Sequence, residues 1–195
     1  MTVRIRPATH DDIGPLGRYQ LESYGGYADV MYADAVPGLK PRQILDMRLE
    51  QEGTSFHYTW GSIAEIDGAL AGGVHAYPVD LEDTDPPDPF IPSDRLQYFA
   101  PLEGLVLPGS YYLNAIAVEP SFKSQGVGKV LLNHVIATAI EQKFPAVSLL
   151  AMAENVAARR LYESHGFVEC GRRTTVPHPA LKFHGDLLLM ALEII

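Results

Sequence analysis

A chain of 195 residues, 47% hydrophobic and 20% charged, can bury a real core and is too apolar to be disordered. Its formal net charge of −9 disfavours nucleic acid and anionic membrane as partners and mildly favours a cationic one. One cysteine excludes an internal disulfide framework, and seven scattered histidines include no ligand-spaced pair, so no metal is expected.

The opening, MTVRIRPATHDD, lacks the apolar core of a signal peptide, and no apolar run reaches the roughly 18 to 20 residues of a membrane helix. The expected location is therefore cytoplasmic. TVRIRPAT (2–9) alternates and reads as a first strand. Thr9 is a candidate N-cap, with Asp11 and Asp12 at the positive end of a helix that carries Ile13, Leu16, Tyr19 and Leu21 toward Tyr24. Gly25-Gly26 breaks that helix and opens an aromatic-rich stretch. Pro41 opens a second helix, with Ile44, Leu45, Met47 and Leu49 as its apolar positions.

FHYTWGSIAEID and ALAGGVHAYPV are strand-like runs joined at Asp67-Gly68, a hairpin signal. Residues 80–94 hold six acids, four prolines and no base. Such proline density forbids a helix or an inner strand, so an irregular, solvated flap is expected within an insertion at about 80–108.

YYLNAIAV (111–118) is apolar on both faces, as a covered strand would be. After Gly126, Val127, Val130, Leu131, His134, Val135, Ala139 and Ile140 recur at helical spacing until Pro145. AVSLLAMA (146–153) is then a strand parallel to the previous one, because a helix lies between them. A short helix from about Val156 to Ser164 precedes two last strands, FVECGRRTT and DLLLMALEII. The order predicts one α/β domain over residues 1–195, a mixed α+β sheet of about seven strands with four helices and a central βαβ unit.

Lys123 to Gly128 sits between that buried strand and its helix. A helix N-terminus offers unpaired N–H groups and partial positive charge, and Gly126 and Gly128 let an anion approach the backbone. A simple tight turn explains the same residues. A dinucleotide fingerprint fails because residue 131 is Leu, and no Gly-Lys-Ser/Thr is present.

LNAIAVEPSFKSQGVGKVLL resembles the acetyl-CoA motif of the GNAT superfamily of N-acetyltransferases, in which Arg/Gln-x-x-Gly-x-Gly/Ala follows a strand. NVAARRLYESHGF (155–167) resembles that superfamily's second motif, and IRPATHDD its opening. The likeness spans the chain apart from the acidic flap. One departure is Lys123 at the first motif position, which keeps charge and loses a planar fork.

The resemblance implies a GNAT-like fold and acetyl-CoA as co-substrate. Its pantetheine arm would lie beside Ile116, Ala117 and Val118, and its pyrophosphate on Lys123, Ser124, Gln125, Gly126, Val127, Gly128 and Lys129. Asn155 reads as an N-cap that can also touch the cofactor arm, and Gly166 as a left-handed C-cap. Spacing alone makes Tyr162 a core residue; the two motifs make it the general acid for the departing thiolate. Glu103 and a water on Asn114 are the expected bases. Tyr24, Tyr27 and Tyr32, with Asp29 and Asp34, fall where the family places its acceptor loop, and His178 and His184 face the same side. Cys170 reads as a small core residue and not a nucleophile.

The function implied is direct acetyl transfer to a primary amine of a small molecule, in an enzyme without metal, nucleic-acid or membrane partners and compatible with a homodimer. The alternatives are a protein lysine or N-terminal acetyltransferase, and a CoA-binding sensor without turnover.

Overall fold

The alternating stretch at the N-terminus forms β1 (Arg4–Pro7) in the computed structural model, which describes residues 2–194. Met1 and Ile195, the ends of the expected domain and of its last strand, lie outside the described residues. After β1 come helices α1 (Ile13–Ser23), α2 (Tyr27–Tyr32) and α3 (Pro41–Leu49). Strands β2 (Gly61–Ile66), β3 (Ala69–Pro78) and β4 (Tyr111–Val118) follow. Helix α4 (Val127–Glu141), β5 (Ala146–Met152), α5 (Val156–Glu163), β6 (Val168–Thr174) and β7 (Asp186–Glu193) complete the order. Among the described residues the α-helices number five rather than four. Residues 27–32 form a helix because Gly26, at φ +100°, turns the chain sharply enough to start one straight after α1.

The seven strands form one mixed sheet in the order β1-β2-β3-β4-β5-β7-β6. Every neighbouring pair is antiparallel except β4 and β5, the expected βαβ unit. Asp67 (φ +51°) and Gly68 (φ +79°) close the β2–β3 hairpin as a two-residue turn with both residues left-handed. Helix α1 covers one face, burying Ile13, Leu16 and Tyr19 with Ile63 and Ala117. Helix α4 covers the other, burying Val127, Leu131, Leu132 and Val135 with Ala64, Val74, Leu113 and Leu149. Each such large side chain contributes about 1.5–3 kcal/mol by leaving water.

Between β3 and β4 the proline-rich insertion runs through three 3-10 turns, Val79–Thr84, Ser93–Tyr98 and Ala100–Leu102. It is irregular, as expected; Asp83 and Asp94 are exposed, and the other four acids of residues 80–94 are tied to neighbouring elements. Asp88 accepts from the guanidinium of buried Arg48 and from the Tyr32 hydroxyl, 2.6 Å away. Glu82 accepts from Tyr77 at 2.6 Å, Asp85 from the Ser55 N–H at 3.0 Å, and Asp80 from the Gly109 N–H at 2.8 Å. Phe90 and Ile91 pack on the cluster of Tyr32, Ile44 and Leu45. Proline leaves this backbone few hydrogen bonds of its own, so side chains anchor it.

Two further readings change. Met47 is 40% exposed, and Arg48 takes the buried place on α3, stacked 4.1 Å over the Phe56 ring. Cys170 is exposed at an edge-strand bulge instead of packed in the core. Among the described residues, no helix is long and apolar enough to cross a membrane.

Candidate active site

Pairing between β4 and β5 stops at Leu113↔Leu149, although both strands run on. The register of β4 against β3 slips at the same level: Leu113 faces Ala76 and Ala115 faces His75, which leaves Asn114 as the extra residue of a bulge. A bulge bends its strand and re-aims one side chain. Here it swings β4 away from β5, and the gap between them is a cleft of about 920 Å³. Thus β4 is not covered on both faces; its alternate residues Tyr112, Asn114, Ile116 and Val118 are half-buried in the cleft wall.

One end of the cleft is the Lys123–Gly128 loop. Ser124 (φ +62°) and Gly126 (φ +83°) are left-handed, and a side chain at Gly126 would meet open space. Strain, not crowding, therefore favours glycine there. The first helical bond is Val130 N–H to Gly126 O, so the N–H groups of Val127, Gly128 and Lys129 stay unpaired at the positive end of α4. Ser124, Gly126, Val127, Gly128 and Lys129 all line the cleft. The Gln125 side chain does not; it turns back to donate to Ser121 O at 2.8 Å. Lys123 Nζ reaches across to Glu22 Oε1 at 3.1 Å, tying the loop to the end of α1.

Further in, the Ile116 N–H faces the cleft and makes only a long bond, 3.4 Å, to Ser23 Oγ. On the facing wall Asn155 caps α5, its Oδ1 accepting from Ala158 N–H at 3.2 Å, and it lines the cleft as well. Tyr162 is buried and packs against Phe167 with ring centroids 5.9 Å apart. Its hydroxyl has no hydrogen bond to another described residue, and burial pushes its pKa up to about 12, so it is protonated throughout the neutral range.

At the far end, Asn114 Nδ2 donates to the Tyr24 hydroxyl at 2.9 Å and lies 3.2 Å from His75 Nδ1. His75 Nε2 faces the His57 carbonyl at 3.3 Å, so the ring carries its proton on Nε2 and accepts on Nδ1. Burial drops this histidine to about 4 and lifts Tyr24 to about 12; both are neutral at pH 7. Tyr27 lines the same end.

Several expected residues lie elsewhere. Glu103 is exposed and outside the cleft, because the turn through Pro101 and Gly104 (φ +71°) leaves Leu102 as the inward side chain. Tyr32 is buried on Asp88, while Asp29 and Asp34 are exposed. His178 packs on Tyr98 at 5.0 Å, and His184 is exposed. Neither histidine lines the cleft. Sequence reasoning missed Ser23, Phe56, Phe99, Leu102, Lys182 and Phe183. Only the last two carried a signal, as part of a loop expected on this side.

Comparison with known proteins agrees with the geometry. Residues 28–167 match the model of the acetyltransferase (GNAT) family. The [Ribosomal protein bS18]-alanine N-acetyltransferase of Salmonella typhimurium strain LT2 is 38% identical over 101 residues, which span 52% of this chain and 66% of that protein. The crystal structure of an acetyltransferase superposes with a TM-score of 0.71 at 22% identity, covering 98% of this chain and 100% of that one. The ribosomal-protein-S18-alanine N-acetyltransferase of Escherichia coli gives 0.62 at 20%, covering 99% and 94%. The Salmonella and Escherichia coli enzymes are named for a ribosomal-protein acceptor, which overturns the small-molecule amine expected from the sequence. With the family model matched over most of its length, the chain belongs to the GNAT family of acetyltransferases.

Proposed function

We propose that this protein transfers an acetyl group from acetyl-CoA to the free α-amine of a protein N-terminus, within a ternary complex. The opened β4–β5 gap, with unpaired N–H groups at one end and the free Tyr162 hydroxyl inside, carries the reading. The phosphates would rest on the N–H groups of Val127 to Lys129, and Lys123 would add charge. The Ile116 N–H, held only by its long bond to Ser23, would turn to the thioester carbonyl. Tyr162 would donate to the sulfur as charge develops on it.

The acceptor class follows from which bases are missing. Among the described residues, Glu22 is the sole carboxylate lining the cleft, and it is committed to Lys123 at the cofactor end. Asn114 and Tyr24 can hold a water and pass its proton on, but neither is a base. An α-amine with a pKa near 8 is roughly one-tenth neutral at pH 7, whereas a lysine near 10.4 is neutral about once in 2,500. A site without a strong base suits the first. The likeness to the bS18-alanine enzyme of Salmonella supports the same acceptor. The whole chain would then act as one cytoplasmic acetyltransferase domain, with the 80–108 insertion folded into it.

The test is acetylation of a peptide with a free N-terminal alanine against the same peptide N-blocked and carrying an internal lysine. Thiol release and mass spectrometry locate the acetyl group. Modification of the α-amine alone is expected. Exclusive lysine modification, or acetyl-CoA binding with no turnover on either, overturns the reading.

A further inference from the structure

The acceptor end of the cleft is walled in part by the proline-rich insertion. Phe99 and Leu102 both line the cleft, and the Phe99 ring tilts against Tyr27 with centroids 5.9 Å apart. Leu102 and Tyr27 share an apolar cluster with Leu150 and Met152 of β5, past the last β4–β5 pair and so where the cleft opens. The insertion is fixed to the walls it meets. Arg95 donates to the Val30 and Met31 carbonyls of α2 at 3.2 Å each, and Asp88 is locked on Arg48 and Tyr32. Phe56, on which Arg48 stacks, lines the same end. No acidic side chain faces this end among the described residues.

We infer that the insertion is a specificity element: Phe99 and Leu102 close the acceptor end and set the size of the first side chain of the acceptor. This rests on the N-terminal reading above and names its substrate class, a peptide whose first residue is small and apolar. An uncharged aromatic wall accepts an alanine methyl and gives a cationic side chain no partner. Phe99 and Leu102 are half-buried and Phe99 abuts Tyr27, so a larger first side chain would have to displace this wall. Pocket discrimination between apolar groups of different size is worth roughly 10- to 200-fold. Truncating the wall removes that discrimination.

The experiment measures kcat/KM on two peptides that differ only in an N-terminal Ala or Leu, with the wild type, Phe99→Ala, Leu102→Ala and Leu96→Ala. Leu96 sits on the same insertion, 54% exposed and outside the cleft, and serves as the control. The Leu:Ala ratio should rise at least about tenfold in Phe99→Ala or Leu102→Ala, at unchanged KM for acetyl-CoA, and stay put in Leu96→Ala. A ratio equal in all four proteins, in a wild type that acetylates both or either peptide, overturns the wall assignment and leaves the N-terminal reading standing. Failure of the wild type on every N-terminus, with acetyl-CoA still bound, overturns both.

Discussion

Replacing Tyr162 by Phe removes one oxygen that has no protein partner and leaves the ring on Phe167 in place. Stability should therefore change by less than about 0.5 kcal/mol. The catalytic loss can be bounded. General acid catalysis contributes roughly 10²- to 10⁴-fold. A phenol held at about 12 faces a leaving thiol near ~8.5, so complete proton transfer runs uphill by about 5 kcal/mol at 1.36 kcal/mol per pH unit. The useful act is a hydrogen bond to the sulfur that strengthens as charge develops, which places the loss at the lower end, about a hundredfold in kcat. Continuous thiol-release kinetics read it, alongside calorimetric Kd for acetyl-CoA and a thermal melt. The same burial gives a pH signature. Wild-type kcat/KM should climb through the acceptor amine near pH 8 and show no falling limb up to about pH 10.5, where an unperturbed tyrosine would already be ionised. A variant within about threefold of wild type in kcat, with melt and Kd unchanged, would refute the acid assignment.

Three perturbations test other parts of the frame. Arg6 holds Asp12 at about 2 through contacts of 2.6 and 2.9 Å, below its unfolded ~3.9. That stabilisation is present above pH 4 and lost as pH falls toward 2, so Asp12→Asn should cost about 2 kcal/mol in urea melts at pH 7 and converge with wild type near pH 2. Glu22→Gln frees Lys123 and removes a negative charge facing the phosphates; acetyl-CoA should bind severalfold tighter at low salt, with the gain fading at 0.5 M salt. Asp88→Asn leaves the buried Arg48 cation without its counter-charge and should lower denaturant stability by about 3 kcal/mol, against under 0.5 for exposed Asp83→Asn; equal losses would refute the buried pair.

The βαβ unit, its glycine loop and the Asn155 cap were legible because their determinants are local. Gly126 needs a left-handed φ whatever surrounds it, and the α4 stripe repeats every 3.6 residues in the sequence itself. The cleft was legible only through resemblance. What opens it is the slipped register at Asn114, where one β4 residue has no β3 partner, and single-strand composition carries no sign of that slip. Ser23 and Phe56 were invisible for a related reason: each reaches the cleft from an element whose own pattern reads as ordinary surface or core.

The insertion shows how composition can mislead. Six acids and four prolines read as a solvated fringe able to attract a cation. That inference assumes acids without partners, and partners are a tertiary property. Arg48, Tyr32, Tyr77 and Ser55 come from elements 5 to 56 residues away in sequence and claim Asp88, Glu82 and Asp85. Desolvation even raises the Glu82 carboxyl above its ordinary range, where a free surface acid would stay within it. Because prolines strip this segment of main-chain donors, its position must be set by side chains, and carboxylates are the strongest acceptors available for that. Four of its six acids therefore serve as anchors for the same reason that it has no regular structure. With four of the acids held as anchors and none lining the cleft, what the insertion offers there is Phe99 and Leu102, an apolar wall where the composition promised a charged one.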